Sequence, residues 1–297
     1  MRRMRLIAGL ITSAAIGLGT TGASAKTLNV VASFTILADV VKEVGGDHVQ
    51  VKSLVGPNGD PHEFEPSPDD AKTLKAADLT FVSGDGLESW FEKLAKSAGY
   101  KGKPIVASAG IKTLKMEEDG KTVTDPHVWN SAANVVAWVS NIEKALIGAD
   151  AEDTDDIKAN AARYTKELQD LNAYAHSKIG AAPKDKRKIL TSHDAFGYFG
   201  KEYGIALLSP LGVSTEKEAS AADIAKLIDQ IRKEKVKAYF IESSNDPRLV
   251  KQVADATGAE PGGELYVEAL SDANGPAPTY AKMFHNNVDL IAAAISK

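Results

Sequence analysis

The polar and apolar positions of this chain alternate between two periods, a short β-like run followed by a stretch with helical spacing. Leu28–Phe34 is a run with β-branched residues, and Thr35–Val44 carries apolar residues at helical intervals before the stop Gly45-Gly46. The next strand spans Val49–Val55, then comes a loop and a helix over Pro68–Ala77. Leu79–Ser83 is the third strand, Leu87–Ala98 an amphipathic helix, and Pro104–Ser108 the fourth strand. Such β/α alternation predicts a parallel sheet covered by helices on both faces. Thr113–Val123 breaks the rhythm: it is polar, turns at Glu117–Gly120, and reads as a mobile excursion. Asn130–Ile147 is again helical.

Ala151 to about Ile179 is free of Gly and Pro and rich in Ala, Glu, Lys and Leu. A helix of that length spans roughly 40 Å at about 1.5 Å per residue and resists bending far more than a Gly/Ser linker. The alternation then resumes. Strands are expected at Lys188–Ser192, Ala206–Leu208, Lys237–Glu242 and within Gly263–Leu270. Helices are expected at Ala195–Tyr203, Ser220–Lys235, Pro247–Thr257 and Pro278–Ser296. The expected fold is α/β: two (β/α) lobes, each with a four-stranded, mainly parallel sheet, joined by one long rigid helix. The implied segments are 1–25, 26–150 (first lobe), 151–180 (linking helix) and 181–297 (second lobe).

Segment 1–25 stands apart. Met1–Arg5 is basic, Leu6 to about Gly19 is apolar or small, and Ala23-Ser24-Ala25 has the small-x-small form of a secretory cleavage site. We read it as a cleaved signal peptide. Its three arginines account for the step from a net charge of −5 for the whole sequence to −8 for the remainder. An acidic protein of this kind has no electrostatic reason to bind nucleic acid. The sequence contains no cysteine, which removes disulfides, thiolate ligands, a thiol nucleophile and a lipid-bearing cysteine. A secreted protein without a lipid anchor is held by a compartment wall, and a Gram-negative periplasm is therefore expected.

The candidate chemistry lies in the histidines. His62 sits in Gly59-Asp60-Pro61-His62-Glu63-Phe64, and the tripeptide Asp-Pro-His recurs at Asp125-Pro126-His127. His62, His127 and His193 all fall in loops beyond strands or at helix starts, where open α/β sheets bind ligands. His48, His176 and His285 do not. Imidazoles converging on one point repel when protonated, so their shared purpose is a metal held by neutral nitrogens. A near-tetrahedral site needs a fourth ligand, and Asp272 completes a symmetric set with two ligands per lobe. Asp272 also reads as a plain turn residue in Leu270–Gly275. Ser83-Gly84-Asp85-Gly86 follows a strand as a phosphate loop would, but it lacks the third glycine and an acid after the next strand, so a tight turn is expected. Trp90, Trp129 and Trp138 read most simply as core residues, although Trp129, beside His127, could also wall the site from water.

Those motifs resemble the metal-specific solute-binding proteins of zinc, manganese and iron ABC importers, the cluster A-I binding proteins. The resemblance covers the chain from about Lys26 onward. It is carried by Pro61–Pro66, Asp125–Trp129, Thr191–Phe199, Glu242-Ser243-Ser244, Leu270-Ser271-Asp272 and Tyr280–Met283. It implies two lobes bridged by one helix, with His62, His127, His193 and Asp272 holding the ion between them. It also implies transport rather than catalysis, and a permease in the inner membrane as partner for a monomeric carrier. Manganese and iron binders of the family place a glutamate at the third position, where this chain has His193. Three nitrogens and one carboxylate favour Zn2+, with Mn2+ or Fe2+ second. Many zinc members carry a His-rich loop, yet Thr113–Thr124 has no histidine, which matches shorter-looped members, some loaded by a periplasmic metallochaperone. The rival class is a secreted zinc metallohydrolase with Asp194 or Glu63 as general base; no His-Glu-x-x-His pattern supports it.

Overall fold

The computed structural model describes residues 27–118 and 121–297; the expected signal peptide lies outside them. The strands and helices follow in the order β1 (Leu28–Ala32), α1 (Thr35–Gly45), β2 (Val49–Ser53), α2 (Pro68–Lys75), β3 (Leu79–Val82), α3 (Phe91–Ala98) and β4 (Ile105–Val106). A hairpin of β5 (Lys115–Glu118) and β6 (Lys121–Thr124) comes next, then α4 (Ala132–Ala149) and α5 (Thr154–Gly180). The second half holds β7 (Lys188–Leu190), α6 (Gly197–Tyr203), β8 (Ala206–Leu208), α7 (Ala221–Glu234), β9 (Ala238–Glu242), α8 (Arg248–Thr257), β10 (Glu260–Leu265) and α9 (Tyr280–Ile295).

Two parallel four-stranded sheets result, in the orders β2-β1-β3-β4 and β8-β7-β9-β10. The orders are the same: in each sheet the first strand lies between the second and the third. Chains that leave such a strand in opposite directions open a crevice at its carboxyl end. Among the described residues, no helix is long and apolar enough to cross a membrane.

Helix α5 runs unbroken for 27 residues, about 40 Å. It buries Ile157, Ala161, Tyr164, Leu168, Leu171, Ala175 and Ile179, a stripe at three- and four-residue intervals. That stripe packs on α1 and α4 of the first half and on α9 of the second. One apolar core therefore runs through both halves, while a smaller cluster around Leu190, Ile231 and Val253 sits under α7 and α8. Polar ties reinforce the helix at its flanks: His48 Nδ1 lies 2.6 Å from Asp153, and Arg163 pairs with Glu43 at 2.7 Å.

Three local expectations change. Lys115–Glu118 and Lys121–Thr124, for which no strand was expected, form a hairpin: Lys115 pairs with Thr124 and Met116 with Val123 in antiparallel register. The helix expected from Leu87 starts at Phe91, because Glu88 turns back to accept hydrogen bonds from the N–H groups of Ser83 (2.6 Å) and Gly84 (3.0 Å) and from Ser33 Oγ (2.6 Å). That carboxylate occupies the donors a phosphate would need, and the loop is the tight turn expected of it, with positive φ at Gly84, Asp85 and Gly86. The last strand ends at Leu265 rather than near Leu270.

Candidate metal centre

Four buried side chains meet between the two sheets: His62, His127, His193 and Glu268, with one donor atom from each lying within 4.8 Å of all the others. His62 and His127 arrive on the two Asp-Pro-His loops, which fold alike. Asp60 Oδ1 accepts the N–H of His62 at 2.7 Å, and Asp125 Oδ1 accepts that of His127 at 2.9 Å. An aspartate side chain that binds the backbone two residues on closes an Asx turn, and here it presents the histidine. The two loops then diverge. Asp125 Oδ1 also takes Nδ1 of His127 at 2.8 Å, whereas Asp60 Oδ2 accepts Thr215 Oγ1 from the other lobe at 2.7 Å. Trp90 Nε1 donates to the carbonyl of Pro61 at 2.8 Å and clamps the first loop.

His193 follows β7, and its support comes from the end of β9. Glu242 Oε1 accepts the N–H groups of Ser192 (2.8 Å) and His193 (3.3 Å), while Oε2 faces Nδ1 of His193 at 2.5 Å. In both His127 and His193 a carboxylate thus engages Nδ1 and leaves Nε2 aimed at the common centre, the arrangement that orients metal-bound imidazoles. Nε2 of His193 is buried without a hydrogen-bond partner among the described residues.

Glu268 supplies the fourth donor, three residues past the end of β10 just as His193 lies three past the end of β7. Its Oε1 is 2.8 Å from Nε2 of His62, 3.1 Å from that of His127 and 3.4 Å from that of His193. Donors about 2.0–2.1 Å from a tetrahedral ion stand about 3.3 Å apart, so the spacing suits one small cation. Asp272, the expected fourth ligand, is not among the four. That residue is exposed in a turn, its carbonyl accepting Gly275 N–H at 2.8 Å, and it stands outside the cluster. The sequence signal for Glu268 was a lone charge inside the apolar run Leu265-Tyr266-Val267-Glu268-Ala269-Leu270, every member of which is buried. His48, His176 and His285 lie elsewhere: the first two pair with Asp153 and Glu202, and the third packs on Tyr174.

The electrostatics follow from burial. Desolvation alone would lower the pKa of His193, but the carboxylates of Glu242 and Glu268 outweigh it and hold the ring well above its usual range. His127 is likewise raised against its burial, through hydrogen bonds to Asp125 and Glu268. Burial would raise Glu268, yet the surrounding imidazoles, His193 foremost and then His62, bring it well below the usual carboxylate range. A cation held by these imidazoles would have to displace their protons and take over their role as counter-charge to Glu268.

Access is one-sided. His62 is 6% exposed while His127, His193 and Glu268 are 0% exposed. His62 borders a cavity of about 360 Å³ that is also lined by Asp85, Ser89 and Glu216. Trp129, fully buried with its ring 5.3 Å from that of His127 and its Nε1 bonded to the carbonyl of Val267 at 2.7 Å, backs the site. Gly197 opens α6 against this support: a Cβ there would lie 2.5 Å from Asp125 Oδ2. Gly197→Ala is expected to push Asp125 off His127 and weaken cation binding about 10–100-fold with the fold retained. Chelator-competition titration beside circular dichroism checks this, and unchanged affinity would contradict it.

Two like lobes, a stiff bridging helix and a closed, buried donor set define a solute-binding protein for a metal cation. The comparisons agree. Residues 30–294 match the family model described as ZnuA, zinc-uptake complex component A periplasmic, and the chain belongs to that family. It is thus a substrate-binding component of a metal ABC importer, acting outside the cytoplasm. Similar relatives include the iron-binding protein YfeA of Yersinia pestis, 34% identical over 285 residues and covering 95% of this chain and 91% of that one. Another is the manganese ABC transporter substrate-binding lipoprotein PsaA of Streptococcus anginosus, also 34% identical, with coverage of 92% and 91%. Among solved structures, the periplasmic zinc binding protein TroA from Treponema pallidum superposes with a TM-score of 0.86 at 32% identity, covering 91% of this chain and all of that one.

Proposed function

We propose that this chain is a periplasmic zinc-binding protein that captures Zn2+ between its lobes and delivers it to an ABC-type permease in the inner membrane. The observation that carries the reading is the donor set: three imidazole nitrogens and one carboxylate oxygen, all buried and converging. Nitrogen-rich, four-donor sites suit zinc, whereas manganese is served better by oxygen donors in six-coordinate shells. Four protein donors also close a tetrahedral shell and leave no position for an activated water, which supports a carrier over a hydrolase. Glu63, one of the two candidates for the general base of a hydrolase, is exposed and outside the cluster.

In this reading segments 26–150 and 181–297 are the two jaws and 151–180 the stiff bridge, with His62, His127, His193 and Glu268 as ligands. Release proceeds through His62, the ligand nearest solvent, by small movements rather than wide hinge closure. The carrier is read as a monomer, held by the compartment rather than by lipid. Several relatives are named lipoproteins, and this sequence has no cysteine to carry a thioether-linked lipid. The hairpin Lys115–Thr124 has no histidine to gather metal, which supports loading by a metallochaperone.

Manganese or iron is the second reading, favoured by the metals for which several relatives are named. Affinity alone does not separate the readings, since almost any nitrogen-bearing site binds zinc more tightly than manganese. Metal analysis of protein purified from its own periplasm does. About one zinc per chain is expected; manganese or iron at that stoichiometry would overturn the zinc assignment.

A further inference from the structure

The two oxygens of Glu268 are in different situations. Oε1 faces the three imidazoles, as described above. Oε2 is turned away, and Ser244 Oγ donates a hydrogen bond to it at 3.4 Å. Ser244 lies on the turn that follows β9, half-buried. The same turn supplies Asn245, whose Nδ2 donates to Glu242 Oε2 at 2.7 Å and so steadies the carboxylate behind His193. A single tetrapeptide, Glu242-Ser243-Ser244-Asn245, therefore orients both donors that the second lobe contributes.

We propose that Ser244 is a positioning residue that sets the denticity of Glu268 and through it the choice of cation; this rests on the reading of the four donors as ligands. A carboxylate can give an ion one oxygen or two. With Oε2 held by the Ser244 hydroxyl, Glu268 offers Oε1 alone, and three nitrogens with one oxygen make a four-coordinate shell. Such a shell satisfies zinc and leaves manganese short of the higher coordination it prefers. Freed from the hydroxyl, Oε2 can swing in as a fifth donor and reduce that discrimination. The glutamate side chain has the reach to do so, and no other hydrogen bond is recorded for Oε2 among the described residues.

The test loads wild type, Ser244→Ala and Ser244→Thr with Co2+ and records visible absorption, which is intense for four-coordinate and weak for five-coordinate cobalt. Zinc and manganese affinities are measured in parallel by chelator competition. Wild type and Ser244→Thr, which keeps the hydroxyl, are expected to give the intense bands. Ser244→Ala is expected to give the weaker spectrum, with the zinc-over-manganese preference reduced about tenfold, in keeping with loss of a hydrogen bond to a charged acceptor. Five-coordinate cobalt in wild type, unchanged spectrum and preference in Ser244→Ala, or a threonine variant that behaves like alanine would each overturn the proposal. If wild type takes up neither Co2+ nor Zn2+, the transport reading falls with it; if it binds both and only the alanine result fails, the ligand set stands and the role of Ser244 does not.

Discussion

Glu268→Gln weakens zinc binding by more than about a hundredfold, beyond the 10–100-fold that loss of an outer-shell partner costs, while Asp272→Ala leaves it unchanged. The two acids lie four positions apart and differ in every respect that matters. Glu268 is fully buried with Oε1 within 3.4 Å of three imidazole nitrogens, whereas Asp272 is exposed in a turn. Glutamine preserves the volume and one carbonyl oxygen, so the substitution removes charge and little else. The ion then meets only neutral donors in a dry interior, where a dication without counter-charge is costly. Isothermal titration of the three proteins in one buffer measures the effect. Equal affinities for wild type and Glu268→Gln, or a large loss in Asp272→Ala, would return the fourth ligand to Asp272.

Much of this site was legible before any coordinates, and the exception has a physical origin. The two Asp-Pro-His loops are encoded locally: the aspartate closes its own turn and proline limits the backbone, so position within the tripeptide already places the ring. His193 was legible for a similar reason, since it directly follows a short β-rich run. Glu268 was not, because its location depends on where β10 stops. Among the described residues that strand pairs only with β9, in parallel, and the pairing passes through an irregularity between Pro261 and Gly263. Apolar residues continue past Leu265 to Leu270, buried as loop rather than as strand. Periodicity therefore carried the expected strand several residues too far, and the fourth candidate donor with it. The same limit applies to Glu88, whose carboxylate folds back on Ser83 and Gly84 and delays α3 by a turn. The two parallel sheets and the long bridging helix were legible, the sheets from β/α alternation sustained along the chain and the helix from a long run without Gly or Pro; the order of the strands was not.

The metal-free protein is expected to lose thermal stability as pH rises from about 5.5 to 8, and zinc to reverse that trend. His193 and His127 have pKa values raised in the folded state, after burial is outweighed by Glu242, Asp125 and Glu268. A group whose folded pKa lies above its unfolded value, about 6.5 for histidine, contributes stability that is complete below the unfolded value. That contribution is lost as pH climbs through the folded one. Burial also raises Asp39, to about 7, with the Tyr280 N–H opposing, and it raises Glu88. These acids act in the same direction from about pH 4 upward. Glu268 works oppositely: held low by the imidazoles, it contributes stability above about 4.3, the usual glutamate pKa, and loses it on further acidification. The metal-free optimum therefore falls between about 4.5 and 6.5. Zinc requires unprotonated Nε2 atoms and adds stability as RT ln(1 + [L]/Kd), a contribution that grows as the histidines give up their protons. The gap in Tm between zinc-loaded and chelator-treated protein should widen steadily with pH. In Glu268→Gln it should widen less, since His127 and His193 lose one of the carboxylates that hold their protons. Scanning calorimetry at fixed ionic strength follows both, and a metal-free Tm that rises toward pH 8, or a zinc increment independent of pH, would show that the ion does not displace protons from the buried imidazoles.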